Sequence, residues 1–125
     1  MVISSLAAMH AQPGIAHYSA AKAGLVAMVR VMAAEWAPHG VRVNTVHPTT
    51  TATPMALNDA TYRTFRPDLD EPAREDFEEA ARTLNRLPVA LIEPADVTEA
   101  VLHLVADSGR HVTGTTMVID AGARL

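Results

Sequence analysis

The chain has 125 residues, 49% of them hydrophobic and 19% charged, with a net charge of −4 and no cysteine. That composition sets aside intrinsic disorder, a disulfide framework, a thiolate metal site and nucleic acid as a default partner. No apolar run approaches the roughly 20 residues that span a bilayer, and the first residues lack a basic flank with a long apolar stretch behind it. No membrane partner is therefore expected, and the cytoplasm is the expected location.

In chain order, MVISS at residues 1–5 is an apolar run closing in hydroxyls and reads as a buried strand. After Gln12-Pro13-Gly14, residues 16–37 are good helix formers that stop at Pro38-His39-Gly40. VRVNTVHP, residues 41–48, is β-branched and closes at Pro48, the signature of a second strand. Thr53 before Pro54 pairs a capping hydroxyl with a residue suited to a first helical turn, so a helix is expected to open there. Residues 53–88 form a polar excursion of helical pieces, and seven of the chain's fourteen acids fall between Asp68 and Glu79, the composition of a solvated surface. Pro94 opens a further helix, with Val97, Val101, Leu104 and Val105 on one face and Gly109 beyond its end. TTMVID, residues 115–120, reads as the third strand.

Strand, helix, strand, excursion, helix, strand is the alternation of an α/β fold with a parallel sheet covered by helices. Three strands make a thin sheet and would leave an apolar edge on the first. A further half of the fold, preceding Met1, is expected on that ground.

The chemistry centres on Tyr18 and Lys22. Lys22 is the single lysine in a chain with nine arginines. On a helix, residues four apart share a face, which brings the ammonium near the phenol. A phenol titrates near 10, and a neighbouring positive charge favours the phenolate, so such a tyrosine is suited to trading a proton with an alcohol or carbonyl oxygen. A compact ammonium can also reach a ligand hydroxyl, a task a planar guanidinium does not share. Ser5, thirteen residues before Tyr18, ends the first strand, and ligands of parallel α/β sheets sit at the carboxyl ends of strands. Its hydroxyl can hold the same substrate oxygen. His17 and His47 flank this group, but no histidine pair has helical metal spacing with an acidic partner, so no metal is expected and structural or pocket-lining roles are assigned to both. Asn44 and Asp120 read as hydrogen-bonding strand or turn residues.

ISS, YSAAK, VRVNTVHP and VTGTTMVIDAG, in this order and spacing, resemble the second half of a short-chain dehydrogenase/reductase, and the resemblance covers essentially all 125 residues. It implies the C-terminal half of a doubly wound, Rossmann-like parallel sheet, residues 1–125 being a partial domain with 53–88 as its substrate-covering segment. It implies an oxidoreductase acting between NAD or NADP, with NAD favoured, and a small-molecule alcohol or carbonyl. The implied catalytic residues are Ser5 as hydrogen-bond donor to the substrate oxygen, Tyr18 as general acid/base and Lys22 as the group that assists Tyr18 and binds the nicotinamide ribose. Tyr18, Lys22, Pro48, Thr51 and Thr53 are the implied cofactor-binding positions, and Met55, Leu57, Tyr62 and Phe65 the implied substrate-pocket walls. Threonine after Pro48, in HPTTTATPM, is similar to the subgroup that often holds its nicotinamide tightly and works with mycofactocin.

The chain departs from that family's pattern in having no glycine-rich phosphate loop, no cofactor-selecting residue after a second strand, no NNAG segment and no upstream catalytic asparagine. On these grounds the 125 residues alone are expected to bind a dinucleotide poorly. The alternative reading is a non-catalytic remnant that serves as an oligomerisation or interaction module. Residues 16–37 are apolar almost all round, with only Lys22, Arg30 and Glu35 charged. Such a helix needs a second body on its outer side, and in the resembled family this helix commonly packs against its symmetry mate, so a homo-oligomer through residues 16–37 is expected of the full-length form.

Overall fold

A computed structural model describes residues 1–125. Its elements are β1 (Val2–Ile3), α1 (Ala16–Trp36), β2 (Thr45–Pro48), α2 (Asp59–Phe65), α3 (Arg74–Arg82), α4 (Pro94–Val105) and β3 (Thr116–Ile119), with short 3-10 turns at Leu6–Ala8, Ala37–His39 and Asp107–Gly109. They form two compact units, one of residues 1–48 with 95–119 and one of residues 49–94 with 120–125.

The first unit holds a parallel three-stranded sheet in the order β1-β2-β3, so the expected α/β class is observed. Val2 and Ile3 pair with Thr45 and Val46, and Thr45 to Pro48 pair with Thr116 to Ile119. Alternation along the central strand divides its side chains between two layers. Val43 packs with Val29 and Ala33 of α1. Val46 packs with Ala100 and Leu104 of α4, alongside Val97, Val101, Met117 and Ile119. Val43 just before β2 thus meets α1 and Val46 within β2 meets α4, which covers this segment with a helix on each side.

Three expectations shift. The second strand is regular only from Thr45. Val43 N instead donates to the Thr113 hydroxyl (3.1 Å), and Asn44 uses its side chain to bond Val112 O and Thr115 N (2.9 and 3.0 Å). The first strand is shorter than MVISS, because Ser5 leaves it to cap the turn at Leu6–Ala8. On α4 the core stripe is Val97, Ala100, Val101 and Leu104, while Val105 is 56% exposed. Arg42 occupies the end of that helix, its guanidinium donating to the carbonyls of Leu104, Val105 and Val112.

The second unit contains α2 and α3 around Phe77, which is fully buried. Tyr62 stacks on it at 5.2 Å between ring centroids and Phe65 meets it edge-on at 4.9 Å. No helix opens at Thr53-Pro54. The chain turns there, Ala56 N and Leu57 N both bonding Thr53 O, and the helix starts at Asp59. Asn58 is the cap, because its side chain reaches Thr61 N at 3.0 Å while the Thr53 hydroxyl lies back against Thr51 O at 3.4 Å. Part of the acidic surface is paired: Arg66 grips Asp68 through two nitrogens (2.9 and 2.8 Å), and Arg74 meets Glu78 at 2.6 Å.

Candidate active site

The first unit brings Ser5, Tyr18 and Lys22 to the carboxyl end of β1. Three consecutive residues do the positioning. Ile3 O accepts from Lys22 Nζ at 3.4 Å. Ser4 N donates to Val46 O at 2.8 Å and the buried Ser4 hydroxyl donates to Lys22 O at 2.9 Å, which ties the α1 backbone to the strand end at the lysine itself. Ser5 caps the following turn, its hydroxyl oxygen accepting from Ala7 N at 3.2 Å. A hydroxyl that accepts from the backbone keeps its own proton for another acceptor. That is the polarity required of a donor to a substrate oxygen.

Helical spacing puts Lys22 on the same side of α1 as Tyr18. Nζ stands 5.6 Å from the centre of the Tyr18 ring, within range of a cation–π contact. Tyr18 is itself exposed and Lys22 half-buried. An ammonium has three protons, and the bond to Ile3 O engages one of them.

His47 lies beside this group on β2. It is fully buried, its Nδ1 sits 2.8 Å from Ser5 O, and its Nε2 has no hydrogen-bond partner in the protein. Burial holds its pKa below the usual 6.5, the Ser5 carbonyl opposes that shift, and the Lys22 charge adds to it.

Of the remaining candidates, Pro48 closes β2. In the second unit Thr51 forms a parallel bridge to Ile92, its hydroxyl donating to Thr49 O at 3.0 Å. Met55 is 84% exposed, Leu57 is partly buried, and Tyr62 and Phe65 each commit a ring face or edge to Phe77. Sequence reasoning passed over Ser4 and Phe77. The signal for Phe77 was present, since Phe77 and Ala81 stand four apart on an otherwise charged helix and are both buried. Ser4 had no sequence signal separating it from Ser5.

The profile of the family described as enoyl-(acyl carrier protein) reductase matches residues 1–124. The chain belongs to the short-chain dehydrogenase/reductase family. Among its family relatives, (-)-trans-carveol dehydrogenase of Rhodococcus erythropolis is 49% identical over 125 residues, a match covering 100% of this chain and 45% of that protein. The crystal structure of carveol dehydrogenase from Mycobacterium avium in complex with NAD superposes with a TM-score of 0.95 at 42% identity, covering 98% of this chain and 44% of that one. A short-chain dehydrogenase from Mycobacterium paratuberculosis bound to NAD gives a TM-score of 0.79 at 34% identity, with 98% and 44% coverage. The chain therefore spans a little under half the length of these relatives, and over that span the fold is theirs.

Two ends of a nicotinamide dinucleotide can be tested against the residues present. The ammonium protons of Lys22 and the exposed phenol of Tyr18 are donors of the kind that ribose hydroxyls accept. The pyrophosphate end finds no match among the chain's glycines. Gly14 alone stands between a strand and the α-helix that follows it, and a single glycine is not the glycine-rich turn that presents several backbone N–H groups to a pyrophosphate. The residues of this chain fit the nicotinamide ribose.

Proposed function

We propose that this chain carries the acid/base half of a dehydrogenase that oxidises small apolar alcohols, or reduces the matching carbonyls, with a nicotinamide cofactor. The bound cofactor supplies the hydride acceptor or donor. Tyr18 takes the proton from the substrate hydroxyl on oxidation and returns it on reduction. Lys22 stabilises the negative charge left on the phenol oxygen and donates to the nicotinamide ribose. Ser5 donates its uncommitted proton to the substrate oxygen and so sets its direction. The observation that carries this reading is the Lys22 ammonium beside both Ile3 O and the Tyr18 ring, with Ser5 two residues beyond that carbonyl.

Pro48, Thr51 and Thr53 are assigned to the cofactor, and Met55, Leu57, Tyr62 and Phe65 to the substrate pocket. NAD is preferred to NADP because two of the relatives with solved structures hold NAD. A cyclic terpene alcohol is the favoured substrate class, given the 49% identity to a carveol dehydrogenase. Thr49 after Pro48 supports a place in the mycofactocin-coupled subgroup, which often holds its nicotinamide tightly. A second copy of the chain is assigned to the outward face of α1.

The test is a chimera in which residues 1–125 replace the matching stretch of the Rhodococcus carveol dehydrogenase, assayed for carveol oxidation with NAD. Turnover is expected. Tyr18→Phe should lower kcat by about 10²–10⁴, the range for losing a general acid/base, while leaving NADH binding nearly unchanged. Lys22→Ala should damage both. A Tyr18→Phe chimera with near-normal kcat would overturn the assignment.

A further inference from the structure

We propose that His47 is a positioning residue for Ser5: its Nδ1–H holds the Ser5 carbonyl and thereby fixes the direction in which the Ser5 hydroxyl donates. This rests on reading Ser5 as the donor to a substrate oxygen.

A carbonyl can only accept, so the 2.8 Å contact between His47 Nδ1 and Ser5 O requires the proton on Nδ1. Ser5 O also accepts from Ala8 N at 3.1 Å, so both of its lone pairs are engaged, one by the turn that Ser5 caps and one by β2. The neighbours of Ser5 are fixed by other means. Ser4 is bonded to Val46 through its amide and to Lys22 O through its hydroxyl, and Leu6 is buried. The imidazole is the contact by which β2 holds Ser5 itself. Packing alone gives no reason for a histidine here. Thr45 and Val46 beside it are equally buried, and the ring carries an Nε2 with no partner, a penalty that an apolar side chain would avoid. Lys22 is the charged group that acts on this ring, and with burial it favours the neutral form, in which Nδ1 carries the proton and Nε2 a bare lone pair.

The experiment uses the 125-residue chain with ¹⁵N label. Long-range ¹H–¹⁵N correlation at neutral pH should show His47 as the neutral Nδ1–H tautomer. The Nε2–H tautomer would overturn the proposal, as would an imidazolium. His47→Asn keeps a donor where Nδ1 lies, and His47→Leu has the same bulk without one. Hydrogen exchange at Ala7 N, which Ser5 Oγ caps, should quicken ~10-fold or more in the Leu variant and stay within about threefold of wild type in the Asn variant. Unchanged exchange in the Leu variant would overturn the proposal, and so would equal acceleration in both variants, which would reduce the ring to packing. If the Leu variant does not fold, the tautomer and the Asn variant decide between these outcomes. None of these readouts involves turnover, so their failure is distinct from failure of the dehydrogenase reading, which the chimera tests.

Discussion

Lys22 and His47 are the two side chains on which the candidate site turns, one half-buried on α1 and the other fully buried on β2. Lys22 reaches past its own helix to Ile3 O, a contact that a compact ammonium makes along its flexible stem. His47 is enclosed, and its lowered pKa has a consequence for stability. A histidine that binds its proton more weakly when folded than when unfolded lets the unfolded chain gain protons first. Stability is fully present above the unfolded value of 6.5 and declines as the pH falls below it toward the folded value. The melting temperature of the chain is therefore expected to be level just above neutrality and to drop below about pH 6.5, with a shallower drop in His47→Asn. Identical pH profiles for the two proteins, measured by circular dichroism melts, would show that His47 is not the linked group. The proximity of Tyr18 and Lys22 was legible in the sequence because they stand four apart on one helix, whereas the turn that Ser5 caps after β1 was not. His47 was legible as a neighbour but not as a partner of Ser5, because that contact depends on the register between β1 and β2.

At the scale of elements, periodicity located most helices and strands, while local hydrogen bonding moved their ends. The Thr53-Pro54 signal failed because Asn58 competes for the same role five residues later, and the first residue with both a side-chain acceptor and a helical stretch behind it took the cap. The third helix shows the converse case. Asp76 reaches back to Ala73 N at 2.8 Å, yet Ala73 has no side-chain acceptor to return the bond to the helix. Ala73 is exposed with extended backbone, so Ala73→Ser should complete the reciprocal pair and stabilise the fold by about 0.5–1 kcal/mol in urea unfolding. No gain would mean that the α3 start frays before the rest of the chain unfolds. Gly109, correctly expected past the end of α4, has a stricter requirement than a helix stop. A Cβ there would lie 2.5 Å from His103 O and 3.0 Å from Leu104 O, both backbone atoms that cannot swing away. Gly109→Ala is expected to cost about 1–3 kcal/mol, and a variant as stable as wild type would show that the turn after α4 relaxes freely.

On the whole-molecule scale, the chain presents a helix whose solvent side is apolar. Val31 is 57% exposed, Met28 and Trp36 are also exposed, and Gly24 has open space where a side chain would be. Gly24, Met28 and Val31 stand four and three residues apart, so they line one stripe of α1, on the side away from the Val29 and Ala33 positions that meet Val43. Apolar surface of this kind on a helix is removed from water by a partner, and an isologous contact lets the same stripe of a second copy supply it. Small residues at Gly24 and Ala27 allow close approach of the two helices. The 125-residue chain is expected to run as a dimer or larger species at micromolar concentration in size-exclusion chromatography with light scattering. Val31→Glu would place like charges opposite each other in such a contact, at a cost far above that of the same change on a free surface, and should shift the population towards monomer with little effect on the melting of the monomeric form. A wild-type chain that stays monomeric across that concentration range, or a Val31→Glu variant that associates as strongly as wild type, would remove α1 as the interface.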